Sequence, residues 1–138
     1  MKASDIGDRL VSHFFDEKEG GCYLYSGDGE QLIIRPKDVY DGAMPSGNSM
    51  AALVMVRLYR LTGEEKWRRR KEKQLAFLSK EASGYAAGHT WFLYALAEDM
   101  IVSQELVCVS RESIAAEPLR KLPVTVIAKN EENQDKLG

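Results

Sequence analysis

The sequence contains few of the residues that usually bind metals or form disulfides. Among its 138 residues there are two cysteines and two histidines. Cys22 and Cys108 lie far apart and fit no CxxC pattern, and no spacing of His, Cys and carboxylate residues is typical of a metal site. We therefore expect neither a metal nor a cofactor. We interpret both thiols as small packed side chains in a reducing, cytoplasmic setting.

Long apolar runs and an excess of one charge are also absent. No uninterrupted apolar run approaches the ~20 residues that cross a bilayer, and the N-terminus lacks the apolar segment of a secretory signal. The formal net charge is -2, which gives no general attraction to nucleic acid. With 44% hydrophobic and 29% charged residues, the composition is that of one globular domain. We expect neither a membrane nor a nucleic acid as partner.

One basic cluster, KWRRRKEK at 66–73, is an exception to this nearly even distribution of charge. It can contact nucleic acid if its cations neutralise phosphates and Trp67 stacks on a base. Three glutamates in and beside the cluster dilute its charge, however, and Trp67 falls on an apolar helical stripe. We interpret the cluster as the solvated face of an outer helix.

The order of polar and apolar residues predicts a mainly α protein. Helices are expected over about 4–15, from Ser46 or Ser49 to about Leu61, and over about 64–81 and 85–100. The second and fourth are apolar on most faces and are predicted to be buried, whereas the third has a narrow apolar stripe and is predicted to lie outside. Short Gly-containing turns between them indicate antiparallel helical hairpins.

Two β elements are predicted in addition. The segment at about 21–35, CYLY-SGDG-EQLIIR, is typical of a β-hairpin. Later, Leu106 to Ser110 and PVTVIAK are predicted strands with a short helix at 111–121 between them, which indicates a small parallel βαβ unit. The expected organisation is an incomplete helical segment over 1–104, the βαβ unit over 105–129 and a polar tail over 130–138.

The predicted helices leave apolar surface uncovered, because two buried helices cannot both be covered by one outer helix. At ~25 cal/mol per Å² of apolar surface, one such exposed face costs several kcal/mol, comparable to the stability of a domain. We expect the missing wall to come from further upstream helical hairpins of a longer chain or from a second copy of this one. Studied alone, the chain is expected to form a homodimer or higher oligomer.

The loop YDGAMPSGNS (40–49), followed by the apolar run MAALVMV, is the most distinctive stretch. With GG-CYLY and IIRPKDVYDGA before it and RLYRLTG after it, it resembles the C-terminal part of the spermatogenesis-associated, thioredoxin-domain-containing proteins. SGYAAGHTWFLYALAED and PVTVIAKNEENQDKL also fit, so the resemblance covers about residues 1–130. It implies a partial (α/α)6 toroid, similar to that of N-acylglucosamine 2-epimerases and six-hairpin glycosidases, in a family whose activity is not settled.

Three hypotheses on function follow from the resemblance. In the first, this chain is part of a longer, carbohydrate-active protein and supplies part of the wall of its cleft. In the second, the chain is a non-catalytic binding or scaffold module partnered with a thioredoxin-like domain. The third hypothesis is a degenerate gene product, since the thioredoxin-like domain and most upstream hairpins have no counterpart here. The chain alone is expected to be inactive, because an incomplete ring cannot hold two catalytic groups at a set distance.

Two residues are candidates for catalysis. Asp41 can act as one of the paired carboxylates of glycan chemistry, with Asp38, Glu98 or Asp99 as partner. Alternatively, Asp41 braces its own loop through backbone N–H groups. His89 is a candidate because epimerases of the related fold use histidines as general bases; the alternative is a packed residue at a helix start.

The candidate substrate-binding residues surround the same loop. Basic side chains can hold an anionic group, and hydroxyl or amide groups can bind sugar hydroxyls. The alternatives are charges that point to water and serines that cap a helix. Aromatic residues of the last helix can stack on a sugar ring or pack in the core. The substrate-binding candidates are Arg35, Lys37, Asp38, Ser46, Asn48 and Ser49, and the aromatic candidates are Tyr85, Trp91, Phe92 and Tyr94.

Overall fold

The computed structural model describes residues 3–27 and 35–101 and the backbone of 105–109 and 125–129. The chain divides into two compact units, Met1–Met100 and Ile101–Gly138. We describe each unit by itself.

The described part of the first unit consists of α-helices joined by turns, which confirms the mainly α prediction. There are four α-helices and one short 3-10 turn in these residues: α1 (Ala3–Phe14), α2 (Gly47–Thr62), α3 (Glu65–Ala82), the turn (Ala86–Gly88) and α4 (Thr90–Met100). None of these helices is long and apolar enough to cross a membrane.

The connection between α2 and α3 follows the predicted turn. Gly63 adopts a left-handed conformation with φ of 67°, and its N–H donates to the carbonyl oxygen of Tyr59. Glycine has no Cβ that opposes this conformation, so it ends the helix and lets the chain reverse. The helices α2 and α3 then pack against each other, as the predicted hairpin requires.

The fourth helix begins later than the pattern predicts. We expect a helix from Tyr85, but Ala86–Gly88 form a 3-10 turn and α4 starts at Thr90. His89 has a non-helical backbone, with φ of -135° and ψ of 41°. The first N–H groups of α4 donate to a side chain 50 residues earlier in the chain, so the start of α4 depends on tertiary structure rather than on local pattern.

The core of the first unit lies on both sides of α2. One cluster joins α2 to α3 and α4, and its buried members are Ala52, Leu53, Val56, Leu75, Leu78, Ala82, Phe92 and Ala95. The other joins α2 to α1 and α3, with Val11, Phe15, Cys22, Ala51, Met55, Leu58 and Trp67. Trp67 is fully buried and Lys71 is buried, whereas Arg69, Glu72 and Lys73 of the basic cluster are exposed. The prediction that α3 is an outer helix is therefore confirmed.

The prediction that α4 is buried on most faces is wrong. Of its eleven residues only Phe92 and Ala95 are buried, whereas Trp91 is 41% and Tyr94 48% exposed. On α2, Val54 is also 39% exposed. The reason is that α4 packs mainly on α2 within this unit, so only one of its apolar faces finds a partner.

The second unit contains a parallel strand pair in its described residues. Strand β1 (Glu105–Val109) and strand β2 (Thr125–Lys129) are in register from Glu105 opposite Thr125 to Val109 opposite Lys129. The strands lie where the sequence predicts them. The helix expected at 111–121 and the polar tail at 130–138 lie outside the described residues.

The β-hairpin expected at 21–35 is not confirmed. In its described part, residues 21–27 and 35, no β-strand forms, and Cys22 makes a single antiparallel bridge with Phe15. The N–H of Leu24 donates to the carbonyl oxygen of Pro36 at 2.9 Å. The turn after Gly27 and most of the expected second strand, residues 28–34, lie outside the described residues.

Candidate functional site

The loop at 40–49 joins the beginnings of two helices through one carboxylate. Oδ1 of Asp41 accepts a hydrogen bond from the N–H of Ser46 at 2.8 Å, next to the start of α2. Its Oδ2 accepts from the hydroxyl of Ser49 at 3.0 Å and from the N–H groups of Trp91 and Phe92 at 2.8 and 3.3 Å, in the first turn of α4. Asp41 thus caps α4 and supports the cap of α2.

This arrangement keeps Asp41 charged and away from water. Its exposed fraction is 6%. Burial by itself raises the pKa of Asp41, but the hydrogen bonds from Ser46, Ser49 and Phe92 outweigh it and hold the pKa below its usual value. The positive ends of two helix dipoles also favour a negative charge here. Proton transfer to a substrate would require Asp41 to give up one of these bonds, so the geometry fits the bracing alternative.

The two serines of the loop are engaged in the same network. Ser46 is the N-cap of α2, and its Oγ accepts from the N–H of Ser49 at 3.1 Å and donates to the Oγ of Ser49 at 3.0 Å. Both side chains are buried. In this structure neither hydroxyl is free to bind a sugar hydroxyl.

Asn48 lies in a second buried polar network. Its Oδ1 accepts from the N–H of Cys22 at 2.5 Å, and its Nδ2 donates to the carbonyl oxygens of Cys22 and Asp38 at 2.9 and 2.7 Å. Gln74 donates to both the backbone and the side-chain oxygen of Asn48 and accepts from the N–H of Gly21. Asn48 therefore connects α2 through hydrogen bonds to α3, to Cys22 and to Asp38.

The basic candidates lie in a separate group. Lys37 pairs with Asp16 at 2.8 Å and also donates to a backbone oxygen. The guanidinium of Arg35 lies 4.0 Å from the centre of the Tyr23 ring. Burial raises the pKa of Asp16, but hydrogen bonds from Lys37 and Tyr23 outweigh this effect and hold the pKa well below its usual range. Lys37 is thus engaged inside the protein, while the carboxylate of Asp38 is exposed.

His89 is close to the Asp41 network but is enclosed. Its exposed fraction is 6%, and its Nδ1 lies 2.9 Å from the carbonyl oxygen of Tyr85. Because that oxygen can only accept, Nδ1 carries a proton in this contact. Nε2 is buried and has no partner in the part of the chain that the structure describes. A role as general base would require a movement that uncovers Nε2.

A groove between α2 and α4 is open to solvent and rich in aromatic surface. Its volume is about 590 Å³, and it is lined by Met50, Leu53, Arg57, Thr90, Trp91 and Tyr94. The rings of Trp91 and Tyr94 meet edge to face, with centroids 6.0 Å apart and an interplanar angle of 82°. This geometry is favourable for an aromatic pair. Of the lining residues, only Trp91 and Tyr94 are candidates from the sequence.

A charged pair joins the same two helices. Arg57 donates through Nε and Nη2 to the two carboxylate oxygens of Glu98, at 3.1 and 2.6 Å. These hydrogen bonds hold the pKa of Glu98 below its usual range, although partial burial opposes the shift. Of this ionised, bidentate pair, Arg57 lines the groove beside the aromatic rings.

A smaller cavity lies between α1 and the start of α2. Its volume is about 200 Å³, and it is lined by Leu10, Phe14, Cys22, Tyr23, Leu24, Asp38, Gly47 and Asn48. Burial raises the pKa of the Cys22 thiol to about 11, so the thiol stays protonated and is a poor nucleophile. Across residues 3–27 and 35–101, no three His, Cys, Asp or Glu side chains form a group that could hold a metal ion.

The structure brings some predicted site residues together and separates others. Asp41, Ser46 and Ser49 form one network, whereas Lys37 lies with Asp16 and not with them. Sequence reasoning missed Gln74, although its spacing from Trp67 and Leu78 places it on the buried stripe of α3. It also missed Arg57, for which the sequence carries no local signal beyond a charge on an apolar helix.

Comparison with known proteins gives relatives of much greater length. No protein-family model matches the chain. Spermatogenesis-associated protein 20 of Rattus norvegicus is 40% identical over 68 residues, which are 49% of this chain and 8% of that protein. The protein of the same name from Homo sapiens is 29% identical over 115 residues, 82% of this chain and 14% of that protein. The predicted resemblance to the spermatogenesis-associated family is therefore confirmed.

Proposed function

We propose that this chain forms one wall of a carbohydrate-binding cleft in a longer, six-hairpin-glycosidase-like protein and that it is inactive alone. The groove between α2 and α4 carries the proposal. A sugar ring presents an apolar face of C–H groups, which packs on aromatic rings such as Trp91 and Tyr94. Its hydroxyl groups need a few polar partners, and Arg57 and Thr90 of the groove lining supply them.

The need for a further wall is part of the proposal. The groove is open, and Val54 and Leu61 on the same helix α2 are exposed. The chain spans only 8% and 14% of the length of the relatives compared above. We propose that other helices of such a protein, arranged as a toroid, complete the cleft. The substrate and activity of the whole protein belong to this proposal.

The expectation of an inactive chain is supported by the surroundings of its two catalytic candidates. Both oxygens of Asp41 are occupied by donors, and Nε2 of His89 is enclosed. Glycoside hydrolysis needs two carboxyl groups that face each other across the substrate at roughly 5 to 10 Å. Catalysis by Asp41 or His89 stays a prediction for the complete protein.

Titration of the monomeric chain, at concentrations below those at which it associates, with defined oligosaccharides tests the proposal. Cellotetraose, maltotetraose and chitotetraose are suitable probes, with binding measured by calorimetry. We expect one of them to bind and Trp91→Ala to weaken that binding about tenfold, since the stacking surface is lost. Leu93→Ala is the matched control, because Leu93 is equally exposed on α4 but does not line the groove. No saturable binding of any probe would overturn the proposal.

A second candidate is a non-catalytic scaffold that binds a thioredoxin-like domain. The observation that favours it is the apolar part of the groove lining, Met50, Leu53 and Trp91, which equally suits a protein surface. The discriminating measurement is a titration of this chain with the thioredoxin-like domain of a relative. Binding of that domain that is lost in Trp91→Ala, together with no binding of saccharides, would replace the first proposal by the second.

A cytoplasmic location is also proposed. It is supported by Cys22, which is a free and buried thiol in the structure. Free thiols persist in reducing compartments, whereas oxidising ones favour disulfides.

A further inference from the structure

Two tyrosines from different loops lie against the same glycine. A Cβ atom added to Gly88 would lie 2.6 Å from Cδ1 of Tyr85 and 2.8 Å from Cε2 of Tyr40. Both distances are far below van der Waals contact, so the two rings can take these positions only because residue 88 has no side chain. We call Tyr40, Tyr85 and Gly88 the tyrosine platform.

The backbone that carries the two rings is held in place. The N–H of Asp41 donates to the carbonyl oxygen of Gly88 at 2.8 Å, and the N–H of Gly88 donates to the carbonyl oxygen of Tyr85 at 3.1 Å. The rings nevertheless face solvent, with Tyr40 57% and Tyr85 59% exposed. A ligand that binds to rings already in position loses little conformational freedom of the protein.

The surroundings of the platform indicate a small ligand with a polar rim. The exposed residues within three positions of either tyrosine are Asp38, Gly42, Ala43, Ser83, Gly84, Ala86 and Ala87. Apart from Met44, which is 78% exposed, these segments offer a helix or sheet of another protein no exposed aliphatic side chain larger than alanine to pack against. A single ring can instead lie on the aromatic faces and leave its polar groups in water or near the Asp38 carboxylate.

We propose that the tyrosine platform is a stacking subsite for a pyranose ring of an oligosaccharide. The inference rests on the proposed carbohydrate-binding function and adds a subsite outside the groove. Its place in the fold supports it, because Asp41, the neighbour of Tyr40, accepts from the N–H of Trp91, which lines the groove. Rings on the platform and in the groove would then bind different sugars of one oligosaccharide.

The test uses the full 138-residue chain and the same three tetrasaccharides. Tyr40→Ala and Tyr85→Ala are each expected to weaken binding about tenfold, whereas Tyr40→Phe and Tyr85→Phe keep it, because stacking needs the ring and not the hydroxyl. Tyr25→Ala is the matched control, since Tyr25 is similarly exposed but lies outside the platform. In the wild-type protein, nuclear Overhauser effects are expected between tyrosine ring protons and sugar C–H protons.

The outcomes separate the platform from the groove. If Trp91→Ala weakens saccharide binding and neither Tyr40→Ala nor Tyr85→Ala does, the tyrosine platform is not a sugar subsite, and the proposed function stands. If the Phe variants lose as much affinity as the Ala variants, hydroxyl contacts rather than stacking hold the sugar, and the inference is overturned. If no probe binds to the wild-type chain, both the inference and the proposed function fail.

Discussion

The network around Asp41 and the groove between α2 and α4 are built on the same two helices, yet they differ in how far their side chains find partners within the chain. Around Asp41, both carboxylate oxygens have donors within the chain. In the groove, Trp91 and Tyr94 are large apolar side chains that leave over 40% of their surface in water. The residues most typical of catalysis thus hold the fold together, while residues typical of a core remain exposed.

The largest expected effect is the loss of the Asp41 network. Asp41→Ala leaves the N–H groups of Ser46, Trp91 and Phe92 without their acceptor in a buried setting. Since each such group costs about 1–3 kcal/mol, we expect the free energy of unfolding to fall by about 3–5 kcal/mol. Urea denaturation followed by circular dichroism measures this change.

The control for that variant is Asp38→Ala. Asp38 is exposed, and its carboxylate accepts one long hydrogen bond, 3.3 Å from the N–H of Tyr40. We expect its removal to change the free energy of unfolding by no more than about 0.5 kcal/mol. If Asp41→Ala were as mild as Asp38→Ala, the bracing role of Asp41 would be wrong and a catalytic role would gain support.

Much of the helical framework could be predicted from local signals. The bounds of α2 and α3 follow from apolar periodicity and from Gly63, and the burial of Trp67 follows from its place on the stripe of α3. These features depend on residues within a few turns of one another. The resemblance to the spermatogenesis-associated family was also visible in short, contiguous segments.

The roles of the polar site residues could not be predicted in the same way. Whether Asp41 braces or reacts depends on Trp91, 50 residues away, and the partners of Asn48 include Gln74, 26 residues away. Apolar periodicity also cannot tell a core face from an interface, because both exclude charge. This is why α4 was expected to be buried and instead exposes Trp91 and Tyr94.

The next largest expected effect is on self-association through the uncovered apolar face of α2 and α4. With Val54, Leu61 and Trp91 exposed on it, we expect the chain alone to form a dimer or higher oligomer at micromolar concentration. Val54→Lys is expected to weaken that association at least about tenfold, because a charge would be buried between copies. Size-exclusion chromatography with light scattering over a dilution series gives the measurement.

A matched variant shows whether this face is the specific cause. Leu24→Lys places the same charge at another exposed apolar residue, away from α2 and α4, and should leave the association unchanged. A stable monomer of the wild-type chain at micromolar concentration would contradict the prediction. If instead both variants weaken association equally, the copies meet elsewhere, and the groove face is free for a saccharide.

The smallest expected effect is the pH dependence of stability that arises from Asp41. Because the pKa of Asp41 in the folded protein lies below its usual value of 3.8, the charged form contributes stability above that value. This contribution decreases as the pH falls from 3.8 through the folded pKa. Asp41→Asn removes the titration, so the difference in unfolding free energy between wild type and this variant should be constant at about pH 5–8 and shrink below about pH 4.

Denaturation midpoints measured across this range check the prediction, and Asp16→Asn serves as the second variant. The pKa of Asp16 is also lowered, but by hydrogen bonds from Lys37 and Tyr23. The difference in unfolding free energy between wild type and Asp16→Asn should therefore also become smaller in the acid range, independently of Asp41. The two effects should add in the double variant, because the networks share no residue. A difference for Asp41→Asn that stays constant down to about pH 2 would contradict the lowered pKa of Asp41, because it would mean that folding does not favour its ionised form.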